Sequence, residues 1–159
     1  IIILFRISNR IVVIYSMNLL DNRVIRYNKM YPHLERALHI LSPWMVTIDS
    51  DATNQSNSLS FEKLNYLLRV SIQAERNMAS IVMNRNQFDV AEGHCHRCLV
   101  NSRRLRVEGK EKTTSIFKAL KTYVTLRQYQ GDFAGAITFA EEAYNLVVDA
   151  YDPVHLQLQ

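Results

Sequence analysis

The chain has 159 residues, enough for one domain of ordinary size, with 48% apolar and 21% charged residues. That balance argues against wholesale disorder. Four glycines and three prolines argue against a collagenous chain, a turn-rich β-sandwich or a glycine-rich phosphate loop. Cys95 and Cys98 are the two cysteines; three residues apart, they make no disulfide framework and fit a reducing compartment. The expectation is an all-α, cytoplasmic domain.

The net charge of +4 hides a segregation. Residues 97–127 carry nine Lys/Arg against Glu108 and Glu111. Residues 128–159 carry no Lys or Arg and five acids: Asp132, Glu141, Glu142, Asp149 and Asp152. Two helix faces of opposite bias can pair with each other, and a basic block can steer an acidic partner.

Residues 1–16, IIILFRISNRIVVIYS, are apolar and β-branched but interrupted by Arg6 and Arg10. No run approaches the ~18 apolar residues needed to cross a bilayer, and no secretory signal is in order. The segment reads as a fragment end or a misread frame before Met17 rather than a membrane anchor. Residues 17–48 read as N-terminal helices. Leu20, Val24, Tyr27 and Tyr31 form one stripe, Leu34, Ala37, Leu38 and Leu41 a second. Pro32 is expected to separate them and Ser42-Pro43 to end the second. Residues 49–58 are a polar loop. Their triplet Asn54-Gln55-Ser56 matches a glycosylation signal, which the thiols argue against.

From Ser60 to about Arg85 there is no Gly or Pro. Ser60 is the expected N-cap of a long helix, with Phe61, Leu64, Leu68 and Ile72 on one face and Met78, Ile81 and Val82 extending it. Asn86 tolerates the left-handed conformation that closes helices. A second helix runs from Phe88 to about Val107 with Ala91, Cys95, Cys98 and Leu99 inward. Glu108-Gly109-Lys110 breaks it. A third spans about 112–130 on the stripe Ile116, Phe117, Leu120, Tyr123 and Val124. Gly131 ends it. Asp132 caps a fourth, 133–150, through Phe133, Ala136, Ala140, Ala143, Tyr144 and Val147.

Rival chemistries have less behind them. No Walker loop, HExxH, GxSxG or paired-carboxylate arrangement occurs, so the chain does not read as an enzyme and no cofactor is implied. His94-Cys95-His96-Arg97-Cys98 invites a zinc reading. Structural zinc needs four ligands, usually from two separated pairs. Here the cysteines share one helical face, His94 and His96 are expected to point elsewhere, and no second pair follows. No metal site is assigned. Arg103, Arg104, Arg106, Lys110 and Lys112 could serve nucleic acid, but cations near a helix C-terminus are favoured in any protein, and no nucleic-acid-binding motif accompanies them.

Sliding the chain by 45 residues sets Phe88 on Phe133, Ala91 on Ala136, Cys95 on Ala140, Cys98 on Ala143 and Asn86 on Gly131. Small residues at these positions let the second helix of a hairpin lie close to the first, with the aromatic filling the wedge. Enlarging Ala140 to Trp is expected to overpack such a contact by about 1–3 kcal/mol. Two antiparallel helix hairpins stacked in series follow.

These residues resemble the tetratricopeptide repeat (TPR). The first copy is Asn77-Met78-Ala79, Asn86-Gln87-Phe88, Ala91, Cys95 and Cys98; the second is Gly131-Asp132-Phe133, Ala136, Ala140 and Ala143. Tyr151-Asp152-Pro153-Val154-His155 is similar to the inter-repeat segment of the kinesin-light-chain-like subgroup, whose units exceed 34 residues. The resemblance covers about residues 72–159 and departs from the pattern at Thr122-Tyr123-Val124. It implies a TPR-like α-solenoid fragment over 59–159, part of a longer array. Its concave face would bind a protein or peptide through Gln73, Arg76, Asn77, Ser80 and Asn84 in the first copy and Lys118, Lys121, Thr122, Thr125 and Tyr129 in the second. Asn77 would bond a ligand backbone, and Lys118 and Lys121 would meet acidic groups. A structural spacer or oligomerisation array without a peptide site is the alternative, with a basic nucleic-acid-binding helical domain behind it.

Overall fold

The structure, a computed structural model, describes residues 23–50, 61–107 and 109–150. All regular structure among them is α-helical: α1 (Arg23–Ser50), α2 (Phe61–Met83), α3 (Phe88–Arg104), α4 (Lys110–Gln130) and α5 (Phe133–Ala150). None of these helices is long and apolar enough to cross a membrane. Residues 1–16, the Asn54 triplet, Ser60 and the segment Tyr151–His155 lie outside the described residues.

α2 and α3 pack antiparallel, as their cross-links show. The Asn65 side chain accepts from the Arg106 amide (2.9 Å), Asn101 donates to Ser71 (3.0 Å), and Cys98 Sγ donates to the Ile72 carbonyl (3.6 Å). α3 and α4 run antiparallel too, with Ser115 Oγ donating to Ser102 Oγ (3.2 Å) near one end and Arg127 paired with Glu92 (2.6 Å) near the other. Between α4 and α5, Tyr123 stacks on Phe139 at 4.4 Å between ring centroids. One cluster, including Leu68, Val82, Ala91, Cys95, Cys98, Leu120, Leu126 and Ala143, runs through α2 to α5. Met30 and Leu34 of α1 build a second with Ala74, Met78 and Ile81 on another face of α2.

The two hairpin turns match bond for bond at the 45-residue offset. Asn86 (φ 56°) and Gly131 (φ 75°) both take the left-handed conformation. Their amides donate to the carbonyls of Met83 (3.0 Å) and Gln128 (3.1 Å), and the next amides, of Gln87 and Asp132, reach back to Val82 (3.0 Å) and Arg127 (2.9 Å). This double bond is the Schellman closure, which satisfies the carbonyls left over at a helix end. Asp132 then caps α5, its Oδ1 accepting from the Gly135 amide at 2.9 Å.

Several expectations are corrected. α1 continues through Pro32 and Pro43, where two short helices were expected. Met30, Leu34, Ala37 and Leu41 are buried at spacings of four, three and four, while both prolines face solvent. A helix-interior proline costs about 3 kcal/mol; each buried aliphatic side chain returns about 1.5–3 kcal/mol, so the continuous stripe wins. α1 also extends to Ser50, into the expected polar loop. α3 stops at Arg104 rather than Val107, because Leu105 turns to extended backbone (ψ 124°) and enters the core while Asn65 takes the Arg106 amide.

On α4 the inner stripe is Ile116, Ala119, Leu120, Tyr123 and Leu126. Phe117 is exposed and Val124 half-buried, since both lie about 80–100° round the helix from Ile116. Phe61 is exposed at the first turn of α2, ahead of the packed region. On α5, Ala136 and Ala143 are buried, but Phe133, Ala140 and Tyr144 are exposed. They point away from α4, and no described residue lies over them, so Phe133 fills no wedge and Ala140 makes no close helix contact.

Candidate functional site

Arg69 of α2 donates from Nε to Oε1 of Glu111 on α4 at 2.6 Å, linking the two helices across the surface of the shared core. Between them opens a groove of about 380 Å³. Gln73, Arg76 and Lys118, three of the residues expected on the concave face, line it together with Thr114 and Lys110. Glu111 offsets the charge of Arg69, so Arg76 and Lys118 leave the groove basic.

The α2 wall is braced from within. Arg76 Nη2 donates to Gln73 Oε1 (2.6 Å), and Gln73 Nε2 donates to Asn77 Oδ1 (3.0 Å). Ser80 Oγ bonds the Arg76 carbonyl (3.2 Å), and Asn84 Nδ2 the Ser80 carbonyl (2.7 Å). Arg69, Gln73, Arg76 and Ser80 follow the helical period, so Asn77, Ser80 and Asn84 prolong this wall beyond the groove. Lys121, Thr125 and Tyr129 prolong the wall of α4 in the same way, with Lys121 and Tyr129 exposed. Thr122 is the exception: it is buried, and its hydroxyl donates to the Lys118 carbonyl at 2.9 Å, so it presents nothing to a ligand. Thr125 likewise donates to the Lys121 carbonyl at 3.0 Å.

Behind the groove lies a polar cluster that the sequence reading missed. Glu75 and His94 are both buried. With its Nδ1 protonated, His94 donates to Glu75 Oε2 (2.5 Å), and Arg97 Nε donates to Glu75 Oε1 (2.8 Å). His94 thus faces α2 instead of pointing elsewhere. The only signal available was that Glu75 is the one acid in α2 after its first turn.

Cys95 and Cys98 are buried free thiols. Burial pushes Cys95 up to about 12 and Cys98 up to about 11, so both are neutral at ordinary pH and unreactive as nucleophiles. Among the described residues no group of three or more His, Cys, Asp or Glu could hold a metal ion. Of the basic cluster considered for nucleic acid, Arg103 is paired with Glu142 at 2.5 Å. The chain matches no family model, no curated protein and no solved structure.

Proposed function

We propose that the chain is a protein–protein interaction module, a TPR-like fragment of a longer helical array, which holds an acidic peptide or partner segment in the groove between α2 and α4. The observation that carries this reading is the open groove lined by Gln73, Arg76 and Lys118 from two different helices. Lys118 and Lys121 sit three residues apart on one helix edge, and neither is needed to close the hairpin. The duplicated turns at Asn86 and Gly131 support the tandem-hairpin reading, since a repeated unit repeats its backbone closure as well as its stripe. An extended acidic segment would meet Arg76 and Lys118 across the groove and Lys121 further along.

The test is affinity capture on an array of extended acidic peptides, with full-length chain and with Lys118→Glu/Lys121→Glu. The double variant should lose the peptides while helicity and melting temperature stay nearly unchanged, because exposed charges contribute little to stability. Added salt should weaken wild-type capture. Equal capture by both proteins would leave the spacer reading in its place.

A further inference from the structure

α2 and α4 run parallel, since each is antiparallel to α3. The Arg69–Glu111 pair joins them at a sequence offset of 42. The walls of the groove keep this register: Ile72 faces Thr114, Gln73 faces Ser115 and Arg76 faces Lys118, each 42 residues apart. At the first rung a cation meets an acid. Two turns on, about 10 Å along the helices, a cation meets a cation. Among the described residues neither Arg76 nor Lys118 has an ion pair; the side-chain bond of Arg76 goes to the neutral amide of Gln73. Lys110, which also lines the groove, is already engaged. Like charges that face each other across a cleft favour an anion between them.

Arg76 is the anchored member of the rung. It is half-buried, and Gln73, which accepts one of its five N–H donors, is itself tied to Asn77. The guanidinium is therefore positioned before a ligand arrives, which lowers the ordering cost of binding. Lys118 brings an exposed, mobile ammonium from the opposite wall. Ile72 and Leu105, both buried, form an apolar floor beside the rung, where charges are screened less than in open water. The charge to be matched is two, one from each cation. A carboxylate brings one negative charge and two oxygens. A phosphomonoester brings about 1.5 to 2 negative charges and three strong acceptor oxygens, enough for the arginine fork and the ammonium together. We propose that the Arg76–Lys118 rung binds the phosphate group of a phosphorylated peptide. This rests on the peptide-binding reading above and narrows it: an unphosphorylated acidic segment binds in the same groove, but more weakly.

The probes are three extended Gly-Ala peptides that differ only at the centre, with phosphoserine, with serine, or with a Glu-Glu pair that matches the phosphate in charge but not in shape. Each is titrated into the full-length chain by fluorescence anisotropy. The phosphoserine peptide should bind about tenfold or more tightly than the Glu-Glu peptide, and the serine peptide most weakly. Lys118→Gln should bring the first two affinities close together. Arg76→Lys, which keeps the charge and loses the fork, should lower the preference as well. Lys112→Gln removes the same charge from α4 away from the groove lining and should leave the preference intact; circular dichroism checks that all three variants fold. Equal affinity for the phosphoserine and Glu-Glu peptides overturns this inference and leaves the acidic-peptide reading standing, whereas binding of neither overturns both. A preference lost equally in Lys112→Gln and Lys118→Gln overturns it too, since net charge and not the rung would be responsible. So does inorganic phosphate that binds as tightly as the phosphopeptide, which would give the rung to a free anion.

Discussion

In the α2–α3 hairpin Glu75 lies against His94 and Ser71 against Asn101; 45 residues later the same positions of α4–α5 hold Leu120, Phe139, Ile116 and Leu146. The turns are equivalent and the helix pairings are alike, yet one interface is cross-linked by buried polar groups and the other is apolar. The outer faces are reversed. The stripe of α3 is polar in part and covered, whereas that of α5 is apolar and bare. A backbone closure can thus be kept while the side chains inside and outside it are exchanged. The polar pairs make the first hairpin particular about register, because a slip of one turn would strand a buried carboxylate. The second depends on shape, with the Tyr123–Phe139 stack and small residues at 136 and 143.

That contrast can be broken most severely at the buried pair. His94→Phe leaves Glu75 buried with only the half-exposed Arg97 and should cost about 3–5 kcal/mol, measured by urea unfolding. Adding Glu75→Leu, which copies the second hairpin, should recover most of the loss. If the double variant is no better than the single one, the two interiors are not interchangeable.

Leu99 and Tyr144 occupy matching positions on α3 and α5. Leu99→Ala should cost about 2–5 kcal/mol, as buried leucines do, while Tyr144→Ala should change stability by less than about 0.5 kcal/mol. The alanines divide in the same way. Ala143→Trp overpacks a buried contact and should lose about 1–3 kcal/mol; Ala140→Trp, on the bare face, should be close to neutral. Similar thermal shifts in both Trp variants would place a cover over α5.

A smaller effect is the response to alkali. Cys95 and Cys98 are raised from 9.0 to about 12 and about 11, and Tyr123 from 10.0 to about 12, each chiefly by burial. The folded state holds these protons more tightly than the unfolded chain. Their contribution is fully present below about pH 9 and is lost as pH rises towards 12, with a limiting slope of about 1.4 kcal/mol per pH unit for each group. Unfolding followed from pH 8 upward should show the decline beginning near 9. A Cys95→Ala/Cys98→Ala variant should postpone it to the tyrosine range.

The helices from Phe61 onward and both turns were legible because periodicity and left-handed residues act over a few positions: Asn86 and Gly131 close helices whatever lies beyond them. Burial was less legible. Ala140 carries the same local signal as Cys95, but its exposure is decided by whether another helix lies across it. The prolines of α1 misled for a related reason, since their local cost is outweighed by packing against α2. In the groove, Gln73, Arg76 and Lys118 were named through the concave face that the tetratricopeptide resemblance implies. Arg69 and Glu111 were not, because their pairing joins residues 42 apart and no local pattern announces it. Glu75 and His94 were hidden by the repeat itself, whose second copy is apolar at both sites.

The comparison is tested most directly by thiol labelling of Ala140→Cys. This variant puts a third thiol at the position on α5 that matches Cys95 on α3, so one reagent reads both faces in one molecule. One thiol should react with an aromatic disulfide reagent at the rate of a free cysteine, while Cys95 and Cys98 react only as the protein unfolds. Protection of all three thiols in the native protein would contradict the account, because the face of α5 would then be covered as that of α3 is.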